Sequence, residues 1–592
     1  MRISYAAPCR LRKTWVLVGL VLASAPRLSG SGHGSATVTD LLDAAQPAMD
    51  QTVEVSGYYA SGGPGGGEFR WDAKCPKSSH NGGTVMSPTV PWDGRPGASH
   101  IGFLDGDGES DPAGHGCWKR PASDEVRFTE WGGRGDWDGS VGTDNQQIWL
   151  RVRAHGIGTQ VRKVILDPGY ANDYWFGDTV VMSVDNLELI IPPAVTARST
   201  KPTSQGTLFL LGRPWLRRPV EPAAVKNVGV SGGGTIIVQS PGDNENAIGL
   251  SKVHGGWVRG MNLPDTNRKA VTLQYDFQDV RVEDNRIGRT GHDAITVQGL
   301  FDASVARPEA PHKDVFILHN VIQNAGRHGF LAQRNFAVSM SRIVVRGNTI
   351  VSAAERGISF NGVDGPVHEG NVVYAANVGA WFKHCTQVRG DVDVHNSRAF
   401  GLYMSNVRDY DFAGVFIDSA ANDAIHEVER SGHGRIGRLR VTGGTHSYVY
   451  SSRSPDRSAT PLVIEQYNGA SSIGGSRRVK TNKRQLQPHF GREVPEVILE
   501  RGTSTPLLGS SKDGVGLYAL DNDTAQPIAD FSTPSSDSDA SIVVRGDGHS
   551  VLKHSAASGL RLRGSVDATP TSAQYIALRR EGGLWREISR NY

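Results

Sequence analysis

Six short segments, GHDAITVQ, GRHGFLAQ, AERGISFN, NVGAWFKH, RAFGLYMS and NDAIHEVE, open on polar or small residues and pass into alternating apolar positions. At the starts of the first three stand His292 and Asp293, Arg327 and His328, and Glu355 and Arg356. At positions that a strand turns away from its core come Gln298, Gln333, Asn361, Trp381, Lys383 and Tyr403. If the segments stack in register, these side chains form columns with steps of about 4.8 Å, so several can reach one sugar ring. Amides bind hydroxyls, aromatic faces cover sugar rings, and a guanidinium fork matches a carboxylate.

Two bond-breaking chemistries fit this set. In β-elimination a cation neutralises a uronate carboxyl and acidifies the C5 proton, which a base then removes. Arg356 or Lys383 would supply the cation, and His328 or a deprotonated Lys383 the base. In hydrolysis two carboxylates share the work. Asp293 and Glu355, two coils apart, would lie about 9–10 Å from each other before side-chain reach, a separation that suits inversion. Cations outnumber carboxylates at the centre, which leans toward elimination. Epimerisation at C5 would begin with the same proton abstraction. His292, Arg327, Gln298, Gln333, Asn361, Trp381 and Tyr403 are expected to hold the substrate. A non-catalytic, adhesive carbohydrate binder would need the aromatics and amides but not the convergence of His, Arg, Lys and Glu; it remains open. No Cys/His spacing suits zinc, and no compact carboxylate cluster suits calcium, so no metal or other cofactor is expected.

The elements that must carry these columns are legible in the repeats. Strand-like segments recur beside Asn285, Asn320, Asn348, Asn371 and Asn396, mostly at intervals in the twenties, with small-residue turns and no helical period. That pattern predicts an all-β solenoid, a right-handed parallel β-helix over about 125–475, in which each coil buries one side of each strand against its neighbours. Aligned asparagines at a tight turn would bridge coils through their amides. The first coil needs a cap, and DNQQIWLRVRAH at 144–155 predicts a helix that buries Ile148, Leu150 and Val152.

Composition bounds the rest. A chain of 592 residues with 72 glycines and 38% hydrophobic residues suits a turn-rich β protein of several domains. A net charge of +3 with no basic stripe gives no support for a nucleic-acid partner. Arg10, Arg12 and Lys13 precede an apolar run at 15–25 that is too short to span a membrane, so residues 1–35 read as a cleaved export signal and spacer. A glycine-rich β module at 36–124 precedes the solenoid. A basic linker then leads to a β-rich domain at 490–592. Cys75 and Cys117 share the N-terminal module and could pair in an oxidising compartment; Cys385 reads as an inert buried thiol.

Two stretches resemble known families. FTEWGGRGDWDGSVGTDNQQI followed by VILDPGYANDYWFGDTVVM resembles the opening of the pectate-lyase superfamily, at Gly135, Asp136, Asp144, Asn145, Pro168, Gly169 and Tyr170. VSGYYASGGPGGGEFRWDA, NGGTVM and CWKR are similar to a module that precedes the β-helix in phage-tailspike-like depolymerases, and LWREISRNY resembles their ends. These resemblances imply a carbohydrate substrate, an exported or cell-surface enzyme and a homotrimer. The superfamily includes calcium-assisted members, though no visible site supports calcium here.

Overall fold

The structure, a computed structural model, describes residues 34–442 except 45–46, 157–160, 215–222, 241–244, 300–311, 335–338 and 429–433, plus separate strands between 450 and 590. The expected export signal lies outside the described residues.

The middle of the chain is a right-handed parallel β-helix of about 11 turns. Parallel pairing begins where Glu125–Arg127 meets Lys163–Ile165 and continues to Val479–Thr481, slightly past the expected end at 475. A full coil carries three strands, for example His312–Leu318, Val321–Ala325 and His328–Gln333. Each pairs with its counterpart one coil on: Met340–Arg346, Thr349–Ile350 and Arg356–Asn361. Alternation supplies the core. Ile295, Val297, Phe330, Ala332, Ile358, Phe360, Ala380, Phe382, Leu402 and Met404 all point inward and are buried.

One corner holds the asparagine ladder. Asn285, Asn320, Asn348 and Asn371 are buried; the Nδ2 of each of the first three donates to the next Oδ1 at 2.8–2.9 Å, and that of Asn371 donates to the Val345 carbonyl. The backbone N–H groups of Asn285, Asn320 and Asn348 also donate to the next Oδ1, so that oxygen closes two bonds across the coil boundary. Asn396 is not a rung. It sits at a different turn, exposed and left-handed (φ 53°), in line with Ser419 of the next coil, which also has positive φ. Ser397 holds the buried place after it. A turn residue and a ladder residue both favour asparagine, which is why sequence spacing merged them.

The cap is the helix Gln146–Arg151, continued by a π-turn at Val152–Gly156. It buries Ile148, Trp149 and Val152, whereas Leu150 is only half-buried. The expected alternation 148, 150, 152 is a strand period; a helix returns to the same face after three or four residues. The Gly-Asp and Asp-Asn motif is structural. The Asn145 amide bridges Arg134, Thr143 and Trp175, and Asp144 accepts from the N–H groups of Gln146 and Gly177.

Before the solenoid, an antiparallel four-stranded sheet of Thr52–Val55, Gly67–Pro76, His115–Lys119 and Val85–Met86 encloses its own core. Arg120 ties it together by donating to the carbonyls of Gly65, Gly66 and Gly83. Beyond the solenoid, a mixed six-stranded sheet includes Ser541–Arg545, Tyr575–Glu581 and Leu584–Arg590 and has a separate core around Leu578 and Trp585. Cys75, Cys117 and Cys385 are buried free thiols, and burial pushes Cys385 up to about 12, as expected of an inert residue.

Candidate functional site

Strand register on one outer face aligns the expected residues in four columns. His328 pairs with Arg356, which pairs with Val378 and then Phe400. Asp293 lies one coil before His328, because Ile295 pairs with Phe330. One residue earlier, backbone bonds link His292, Arg327 and Glu355 in the same order. A third column runs Thr296, Leu331, Ser359, Trp381, Tyr403, His426, and a fourth Gln274, Gln298, Gln333, Asn361, Lys383, Ser405. Gly329, Gly357, Gly379 and Gly401 follow the second column. A Cβ there would meet Ile350, Val373, Val394 or Ile417 within 2.2–2.8 Å, so the close-packed corner fixes the column beside it.

A charged network crosses these coils. The Asp293 carboxylate lies 3.0 Å from His292 Nδ1, accepts from Thr296 Oγ1 at 3.1 Å and is 3.7 Å from Lys269 Nζ. Arg327 reaches three ways: to His292 Nε2 (2.7 Å), His328 Nε2 (3.5 Å) and Glu355 Oε1 (3.1 Å). Glu355 Oε2 is 3.7 Å from His328 Nε2. Arg356 stacks its guanidinium 3.7 Å above the Trp381 ring, and Trp381, Tyr403 and His426 continue as a stack of rings on successive coils.

Burial sets the charge states. Burial alone would raise the Asp293 carboxyl, but His292, His328 and Lys269 outweigh it and hold it near 2. Lys269 is drawn down to about 8 by burial, against the pull of Asp293. His328 falls to about 4, chiefly through burial, with Asp293 opposing and the Arg356 and Arg327 charges adding. At neutral pH the site therefore holds an ionised aspartate and an uncharged imidazole. Burial also lowers Arg356 from its usual range.

All twelve expected site residues lie on this face, but they do not share one role. Asp293 is wholly buried and His328 is 1% exposed, although both head outward strands. Gln298 is buried too, and its Oε1 accepts from Lys269 at 3.0 Å, so it braces the network and does not face solvent. Gln333, Asn361, Trp381, Lys383 and Tyr403 are half-buried, with surface to offer.

Sequence reasoning missed Lys269, which lies one coil before Asp293. Its segment NRKAVTLQ repeats the pattern of GHDAITVQ, and the alignment started one coil too late. It also passed over His426, whose Nδ1 lies 2.8 Å from Asp423 Oδ2. Among the described residues no group of three or more His, Cys, Asp or Glu could hold a metal. On this face the carboxylates are already matched, Asp293 by Lys269 and His292, Glu355 by Arg327, and Asp423 by His426. They do not fit a calcium ion.

Residues 35–123 match a family described as the phage tail protein small four-stranded beta-sheet domain, a match confined to the N-terminal module. No curated protein matches the chain. Among solved structures, DFA-IIIase from Arthrobacter chlorophenolicus is 12% identical (TM-score 0.43), covering 60% of this chain and 99% of that one. A surface adhesin of Streptococcus pneumoniae is 13% identical (TM-score 0.39), covering 58% and 92%. Tailspike protein 2 of an Escherichia coli bacteriophage is 11% identical (TM-score 0.36), covering 73% and 51%.

Proposed function

We propose that this face binds an acidic polysaccharide and cleaves it by β-elimination. The observation that carries the reading is a pair of arginines on consecutive coils, Arg327 and Arg356, beside an imidazole that is uncharged at neutral pH, with Lys383 one coil further along the same face. A uronate carboxylate engaged by Arg327 and Arg356 loses the charge that opposes removal of its C5 proton. His328, already neutral, accepts that proton. The same carboxylate offsets the cations that depress His328, so substrate binding makes the imidazole a stronger base. The C5 electron pair forms the C4–C5 double bond, the C4–O bond breaks, and the departing oxygen takes a proton from water. Trp381 and Tyr403 offer ring surface for neighbouring sugars, with Gln333 and Asn361 beside them for hydroxyls.

The charge state of Asp293 argues against the hydrolytic pair. Its carboxyl is held near 2, so it does not donate a proton at neutral pH. On this reading the protein works outside the cytoplasm, where such polymers occur, and the apolar run at 15–25 supports export.

The test is incubation of the purified protein with a panel of acidic and neutral polysaccharides. Elimination gives the ultraviolet absorbance of an unsaturated uronate along with new chain ends. New reducing ends without that absorbance would overturn elimination in favour of hydrolysis. Sugar binding without either product would leave an adhesive protein.

A further inference from the structure

The N-terminal module holds two thiols on adjacent antiparallel strands. Cys75 lies in Gly67–Pro76 and Cys117 in His115–Lys119. The register between these strands shifts between Asp72, opposite Cys117, and Pro76, opposite His115. The extra residues in that bulge carry Cys75 diagonally toward Cys117. Cys117 Sγ lies 3.4 Å from the Cys75 carbonyl oxygen and 3.4 Å from that of Pro76, and Cys75 Sγ lies 3.6 Å from the same Pro76 oxygen. Both are almost wholly buried, at 4% and 0% exposure.

Between them runs the segment that joins the module to the solenoid. It includes the helix Ala98–Asp105, whose His100 Nε2 lies 3.0 Å from the Trp131 carbonyl oxygen and whose Leu104 belongs to the solenoid's apolar core. A covalent link between the two cysteines would close a loop around that helix.

We propose that Cys75 and Cys117 are a redox pair that closes to a disulfide, locking the loop that docks the module onto the capped end of the solenoid. The two thiols give up two protons and two electrons, a sulfur–sulfur bond forms, and the disulfide of a thiol–disulfide oxidoreductase or of oxidised glutathione is reduced to two thiols. The contact favours this link, since Cys117 Sγ already lies 3.4 Å from the Cys75 backbone carbonyl, and a disulfide spans Cα separations of about 4.4–6.8 Å. Burial, reinforced by Cys75, pushes the Cys117 thiol well above its ordinary range and keeps thiolate scarce in the folded protein. The bond therefore forms while the module is still folding and exposed, and a module that folds in a reducing compartment keeps both thiols.

The experiment refolds the full chain in a mixture of reduced and oxidised glutathione, alkylates it under denaturing conditions without reductant, and maps its peptides. The expected result is a single linked peptide joining Cys75 to Cys117, two hydrogens lighter than the sum of its parts, with Cys385 alkylated. Reductant should restore alkylation at both and speed proteolysis within residues 76–116. Cys75→Ser should abolish the link and match the reduced protein in proteolysis. Alkylation of both Cys75 and Cys117 after oxidising refolding, or linkage of either to Cys385, overturns the proposal.

Discussion

Asp293 and Glu355 show how far two carboxylates on one face can differ. Asp293 has no exposed surface and is held by Lys269, His292 and Thr296. The Glu355 side chain keeps 47% of its surface in solvent beside Arg327. Removing one partner of a buried ion pair strands the other, at a cost of about 3–5 kcal/mol, whereas an exposed pair contributes about 0–1 kcal/mol. Asp293→Asn should therefore lower the unfolding free energy by a few kcal/mol, and Glu355→Gln by less than about 1 kcal/mol, as read from urea titrations. Equal, small effects would mean that Asp293 is not the anchor of the network. Arg356 gives the complementary case, since its guanidinium lies over Trp381 on the outer face. Arg356→Ala should leave stability nearly unchanged while cutting turnover of an acidic polysaccharide by about 10²–10⁴, the range for a lost charge-stabilising group. Full turnover in that variant would remove elimination from this face. Outward alternation made these residues findable in sequence. It could not report their burial, which strand period does not specify.

At the scale of the coil, the asparagine ladder and the turn beside it divide one residue type between two jobs. Asn348 accepts from the backbone and side-chain N–H groups of Asn320 and donates to Ile317, Arg346 and Asn371. Asn348→Ala leaves buried donors and acceptors unpaired at about 1–3 kcal/mol each, so a total loss of about 2–4 kcal/mol is expected in chemical denaturation. Asn396 is exposed and held at φ 53°, a conformation that glycine adopts freely. Asn396→Gly should change stability by no more than about 0.5 kcal/mol. A large loss there, or a small one at Asn348, would contradict the division. The strands and their stacking were legible because each coil repeats inward apolar positions. The separation of ladder from turn was not, because it rests on a register shift and on backbone handedness. Lys269 was within reach, since NRKAVTLQ follows the same pattern as the next coil.

Across the whole molecule, buried histidines link folding to pH. His100 between module and cap, His312 stacked 4.2 Å from the Phe277 ring, and His368 between Phe360 and Phe382 are each lowered to about 4, in every case chiefly by burial. The unfolded chain binds protons at these sites near pH 6.5 and the folded chain only near 4, so stability should fall as pH drops from about 6.5 toward 4. His395 works in the opposite direction. Asp393 and Asp418 outweigh its burial and raise it to about 9, so its contribution is complete below about 6.5 and fades as pH rises through 9. Asp293, held near 2, adds a loss only at still lower pH. Stability should therefore peak near neutrality, with an acid limb set by histidines spread from the N-terminal joint to mid-solenoid. Replacing one of them with a residue that cannot titrate isolates its share. His368→Phe keeps an aromatic ring beside Phe360 and Phe382 but gives up the bond to the Asp391 carbonyl, so its stability at pH 7 should fall. Its acid limb should nonetheless be shallower by up to one proton, about 1.4 kcal/mol per pH unit between 4 and 6.5. Urea midpoints for both proteins across that range measure the difference in slope. Parallel acid limbs would show that His368 is already protonated in the folded chain, or that the solenoid opens there before the rest of the molecule unfolds.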